Sequence, residues 1–212
     1  MRSARNDVAI TTSFANESSL RVVRDDPTKR KSRRHRAILE VTVNDMNEAH
    51  PHSEAEEIVL VVETSSARET KSWGRRLASL LEGGELLGFT GELGAGKTCF
   101  IKGLARGLNL REEDILSPTF TMIQEHRGRL PLYHIDLYRL EELGLDDMGM
   151  REYLFSSAVA AVEWFERLRE APELEFLSVR IEYTGASTRR LEFRATGDRH
   201  AALVSKLKHR FA

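Results

Sequence analysis

Large apolar residues are few and aperiodic over the first 55 positions, and become strongly patterned from Glu57 onward. A β-branched run at 58–62 predicts a strand. Ser66 and Glu69 then have the spacing of a capping box, in which the two residues satisfy orphan N–H groups at a helix start. Trp73, Leu77, Leu80 and Leu81 follow at helical spacing, and Gly83-Gly84 predicts the stop. Residues 85–90 read as the next strand. Phe100, Ile101, Leu104 and Leu108 mark a helix over 97–108 that packs on the sheet. Further strands are predicted over 119–124, 132–135 and 158–162, with short helical pieces at 141–143 and 147–154. At the end, 176–184 and 190–195 alternate apolar and polar residues about a Gly185-Ala186-Ser187 turn, the pattern of an antiparallel hairpin. A last helix is predicted over 201–207.

This order predicts an α/β fold: a single P-loop NTPase-like domain over 56–212, with a mainly parallel central sheet flanked by helices and a C-terminal antiparallel hairpin. Residues 1–55 form a preceding tail, basic at Lys29, Arg30, Lys31, Arg33, Arg34 and Arg36. It can bury too little surface to fold and reads as disordered, with an RNA-binding arm as the other reading. Its interspersed acids, Asp7, Glu17, Asp25 and Asp26, disfavour an organelle transit peptide. Met46 is an alternative start.

Composition adds limits. With 212 residues, 41% hydrophobic and 31% charged, the chain is an ordinary globular one. A formal net charge of −1 supplies no global field for nucleic acid or membranes. The single Cys99 makes no internal disulfide and fits a reducing, cytoplasmic setting. No stretch approaches the ~20 apolar residues of a membrane span, and the expectation is of no membrane partner.

The chemistry begins after the second strand, at Gly91, Glu92, Leu93, Gly94, Ala95, Gly96, Lys97 and Thr98. G-x-x-x-x-G-K-[ST] between a strand and a helix is the phosphate-binding loop of nucleoside-triphosphate proteins. Its glycines let backbone N–H groups converge on phosphate, and the helix start, with Cys99 in its first turn, adds a positive dipole end. Lys97 is expected to reach the β- and γ-phosphates and Thr98 to ligate Mg²⁺. Two acids end apolar runs: Asp136 after Ile135, and Glu163 after Val162. Ligands of open α/β sheets gather at such strand ends. Each acid is therefore a candidate Walker-B-type carboxylate or a plain loop residue. Ser117-Pro118-Thr119 could place Thr119 in a switch-like loop or form an ordinary turn. His134 reads as structural or as a proton-handling neighbour of Asp136.

Taken together, G-E-L-G-A-G-K-T, S-P-T-F-T, H-I-D-L-Y-R-L and V-E-W in this order resemble the TsaE family, over about residues 58–207. The resemblance implies an ATPase needed for threonylcarbamoyladenosine at position 37 of tRNAs that read ANN codons. Such an ATPase acts on a TsaD–TsaB pair and meets tRNA only through it. Its cofactors are ATP and Mg²⁺. Carried over, Lys97 contacts phosphate, Thr98 and Glu163 hold Mg²⁺, and Asp136 orients or activates water. Thr119 lies in the switch-like loop, and Trp164 belongs to the nucleotide site, its alternative being an apolar anchor. Two features depart from the family pattern: the tail, and Arg169–Leu174 in place of a Leu-Pro pair before the hairpin, which puts the hairpin's entry in question. A P-loop small-molecule kinase and a nucleotide-dependent interaction module are the competing functions.

Overall fold

A computed structural model describes residues 59–212 and, ahead of them, only the two-residue strands Leu20–Arg21, Ala37–Ile38 and Glu40–Val41. The predicted tail otherwise lies outside the described residues. From residue 59 the chain runs β1 (Val59–Thr64), α1 (Ala67–Ala78), β2 (Leu86–Thr90) and α2 (Lys97–Gly107). Then come β3 (Ile123–Arg127), β4 (Pro131–Asp136), α3 (Met150–Leu154) and β5 (Val159–Glu163). The hairpin β6 (Leu177–Tyr183) and β7 (Arg189–Ala195) precedes α4 (Asp198–Phe211).

All seven strands join one sheet in the order β1-β7-β6-β2-β5-β4-β3, with Ala37–Ile38 outside β1. The centre is parallel: β2 pairs with β5 and β6, and β5 with β4. Antiparallel pairs close both flanks, β3 on β4 and β7 on β6 and β1. The expected parallel sheet with a terminal hairpin is thus observed. After Arg169 the chain makes a single 3₁₀ turn at Ala171–Glu173, and the hairpin forms without a Leu-Pro pair.

Each face of the sheet has its own core. Val159 and Ala161 of β5 join the cluster under α1, α2 and α4, whereas Ala160 and Val162 join the cluster around Met150, Leu154, Phe165 and Leu168. A strand covered on both sides must be apolar throughout, which is why β5 reads as a run without alternation. Trp73, Phe100 and Phe193 stack within the larger cluster, with ring centroids about 6 Å apart.

The capping box forms at the start of α1. Ser66 Oγ accepts from Glu69 N at 3.3 Å, while the Glu69 carboxylate accepts from Ser65 N at 2.7 Å, one residue before the cap. The helix stops at Ala78, earlier than Gly83, and buried Glu85 ties down the following loop by accepting from the backbone N–H groups of Glu82 and Gly83.

Two expectations fail. The strand predicted over 119–124 begins only at Ile123, because the hydroxyls of Ser117 and Thr119 bond to Asp136 and Met122 turns at φ 64°. The piece at 141–143 is not helical; Leu143 instead forms a parallel bridge with Leu168, held by backbone bonds on both sides.

Candidate functional site

The loop of residues 91–96 leaves the C-terminal end of β2, and Gly96, at φ 118°, opens α2. Gly91 takes φ 132°, and a Cβ there would sit 2.2 Å from the Ile181 carbonyl oxygen of β6, so only glycine fits against that floor. Phe100 N–H is the first in α2 to bond back, to Gly96 O at 2.9 Å. The N–H groups of Lys97, Thr98 and Cys99 precede that bond and face the loop as orphan donors. The Cys99 thiol points elsewhere, to Ala67 O of α1 at 3.5 Å, and burial pushes its pKa up.

Lys97 is 4% exposed. Its Nζ donates to Gly91 O at 2.6 Å and Glu92 O at 3.0 Å and lies 3.9 Å from the centre of the Trp164 ring. Burial lowers its pKa, opposed by the negative field of Glu163, Glu166 and Asp136. The ammonium thus sits at the rim of the loop with donors directed at its own carbonyls, the position from which it can turn to an incoming anion.

Glu163 and Asp136 end neighbouring parallel strands and face each other in register. They are 3% and 2% exposed, far from the usual surface setting of carboxylates. Each is held by its own set of donors. Thr98 Oγ1 donates to Glu163 Oε1 at 2.7 Å, and His134 Nε2 meets the same oxygen at 2.9 Å. Asp136 Oδ2 accepts from Ser117 Oγ at 2.6 Å and Thr119 Oγ1 at 2.7 Å, while Oδ1 accepts from Tyr138 N at 2.9 Å. His134 therefore serves Glu163 across the strand boundary rather than Asp136 on its own strand. The loop at 117–122 is tied to one carboxylate, with Phe120 83% exposed and resting under Arg139.

Trp164 follows Glu163 in the left-handed region, at φ 59° and ψ 42°. A bulky residue held there stores local strain, which packing must offset. Tyr138 stacks on its ring at 5.1 Å, and Arg167 lies 5.1 Å away over it. Arg167 also donates to the carbonyls of Leu137, Tyr138 and Leu140, which binds the turn after β4 to the turn after β5.

The structure brings together Lys97, Thr98, Thr119, Asp136, Glu163 and Trp164, all expected from sequence. Glu92, Leu93 and Gly94 form the exposed outer edge of the loop and Ala95 is buried beneath it. Sequence reasoning missed Ser117 as a ligand of Asp136, and it missed Tyr138, Arg167, Tyr183 and Arg189. A hydroxyl two residues before Thr119 was one available signal, and Tyr138 and Arg167 lie within four residues of Asp136 and Glu163, whereas Tyr183 and Arg189 lie far along the chain.

A P-loop between a central parallel strand and its helix, faced by two buried acids at adjacent strand ends, defines a P-loop NTPase-type domain. Comparison narrows the class. A sequence model described as "Threonylcarbamoyl adenosine biosynthesis protein TsaE" matches residues 64–191, more than half of the chain. The chain is 39% identical over 145 residues to the tRNA threonylcarbamoyladenosine biosynthesis protein TsaE of Bacillus subtilis, covering 68% of this chain and 90% of that one. It is 48% identical over 110 residues to the protein of the same name from Treponema pallidum, covering 51% of this chain and 81% of that one. Among solved structures, Bacillus subtilis YdiB superposes with a TM-score of 0.60 at 34% identity, covering 72% of this chain and 96% of that one. This chain belongs to the TsaE family.

Proposed function

We propose that the protein binds and hydrolyses ATP with Mg²⁺ as the accessory ATPase of threonylcarbamoyladenosine formation at position 37 of tRNAs that read ANN codons. In this reading it acts in the cytoplasm on a TsaD–TsaB pair and meets tRNA through that pair. Among the described residues no helix is long and apolar enough to cross a membrane.

The observation that carries the reading is the in-register pair Asp136 and Glu163 beside Lys97 and Thr98. The Thr98 hydroxyl and the Glu163 carboxylate oxygen are 2.7 Å apart, close to the about 3 Å between adjacent ligands of an octahedral Mg²⁺ shell. Two hard oxygens fit that ion, and Thr98 and Glu163 would hold it. When bound, Mg²⁺ supplies neutralising charge for the triphosphate. His134 keeps Glu163 turned toward Thr98. Lys97 and the N–H groups of the loop and first helical turn bind and orient the phosphates. The Cys99 contribution is its backbone N–H alone. Asp136, buried at the strand end, accepts a hydrogen bond from the attacking water and orients it. Ser117, Thr119 and the Tyr138 N–H occupy three of the roughly four acceptor positions of Asp136, leaving one on Oδ1 for that water. Trp164 covers Lys97 and closes one wall.

A phosphate-release assay with and without purified TsaD and TsaB tests the proposal. Low turnover alone and stimulation by the pair are expected. Phosphate transferred to a small acceptor would establish a kinase instead, and ATP-dependent binding of the pair without phosphate release an interaction module.

A further inference from the structure

The phosphate loop has a second set of contacts, made from outside by the hairpin. Arg189, the first residue of β7, donates from Nε to Ala95 O at 2.8 Å. The same guanidinium is braced by its own turn, donating to Thr188 O at 2.9 Å and Gly185 O at 3.3 Å. It lies 4.1 Å from the centre of the Tyr183 ring, at the end of β6. Tyr183 in turn donates its hydroxyl to Leu93 O at 3.4 Å, and a Cβ on Gly94 would come within 2.6 Å of that hydroxyl.

Peptide planarity gives these contacts a consequence. In a trans peptide the C=O of one residue and the N–H of the next point in opposite directions, and the described peptides are all trans. Holding Ala95 O toward the hairpin turns Gly96 N–H away from it. Holding Leu93 O toward Tyr183 does the same for Gly94 N–H. Away from the hairpin is the concave side of the loop, where Lys97 Nζ lies against Gly91 O and Glu92 O. Loops that cradle phosphate depend on successive N–H groups converging on that side. Lys97 fixes the Gly91 and Glu92 carbonyls from inside the loop, and the hairpin braces Leu93 O and Ala95 O from outside.

We propose that Arg189 and Tyr183 are positioning residues of the phosphate loop, setting the direction of the Gly96 and Gly94 N–H groups and so the grip on the β-phosphate. This rests on the nucleotide-binding reading above. Neither residue touches the nucleotide; both act through backbone carbonyls.

The test is calorimetric titration of the full chain and its Arg189→Ala, Arg189→Lys and Tyr183→Phe variants with ADP and AMP in Mg²⁺ buffer, with ¹⁵N spectra of the loop. Arg189→Ala should weaken ADP binding about tenfold, the scale of one charge-assisted hydrogen bond. AMP, which lacks the β-phosphate, should bind wild type and variant alike. Arg189→Lys should recover part of the loss, because an ammonium still reaches Ala95 O. Tyr183→Phe keeps the ring under Arg189 and loses only a long bond, so about a twofold effect is expected. The Gly94 and Gly96 amide signals should shift on ADP addition in wild type and shift less in Arg189→Ala. Equal loss of ADP and AMP affinity, or ADP binding by folded Arg189→Ala within twofold of wild type, overturns the positioning role while leaving nucleotide binding intact. A wild-type chain that binds no ADP and no ATP overturns both.

Discussion

The strands on either side of β2 contribute to the same loop in opposite ways. On one side, β5 and β4 run parallel to β2, so their C-terminal ends arrive at the phosphate loop and deliver Glu163 and Asp136 as side chains. On the other side, β6 is parallel but β7 returns antiparallel, and the residues that reach the loop there, Tyr183 and Arg189, touch its backbone carbonyls. Under the proposed function, one flank supplies chemistry and the other geometry. The reason is the direction of the chain. A parallel neighbour presents the same end as the P-loop strand, where ligands of open sheets bind. A hairpin instead brings a tight turn and its flanking residues, which suit bracing.

Breaking the carboxylate flank should give the largest effect. Glu163→Ala removes the acceptor shared by Thr98 and His134, and ATP turnover with partners present should fall by about 10³-fold or more. Lys97→Ala should do the same, by about 10²–10³-fold, through lost phosphate contact. A bracing-side core change should act on stability instead. Phe193→Ala on β7 opens a cavity beside Trp73 and Phe100 and should cost about 3–5 kcal/mol by denaturant unfolding, with turnover per folded molecule kept. Asp136→Asn sharpens the contrast within the carboxylate flank. It should lower kcat about 10²-fold with ATP affinity near wild type, and full turnover with normal binding would remove its water-handling role.

The smallest expected effect is on pH dependence. Burial lowers the His200 pKa in α4, so the folded state favours the neutral ring. Its contribution to stability is then fully present above the unfolded histidine range and is lost as pH falls through the lower, folded value. The melting temperature should decline from pH 7.5 to 5.5, and less so in His200→Leu. Equal declines would exclude His200 as a source.

Several elements were legible from local sequence because their causes are local. The Gly91–Thr98 spacing, the Ser66–Glu69 cap, the helical period through Leu104 and the alternating hairpin each reflect a backbone or burial rule acting within a few residues. Asp136 and Glu163 were also findable, since an acid closing an apolar strand stands out against the run before it. Where local reading failed, long-range bonds had outweighed propensity. Residues 119–122 are β-branched and aromatic enough for a strand, yet the Ser117 and Thr119 hydroxyls bond Asp136 instead.

Sequence alone determined that a phosphate loop joins a strand to a helix, and which residues it contains. Only the tertiary structure decided that Asp136 and Glu163 stand side by side, that His134 serves the acid on the neighbouring strand, and that Arg189 braces a loop 94 positions away. Strand order and register set those distances. They arise from burying both faces of the sheet at once, a condition no short window of sequence contains.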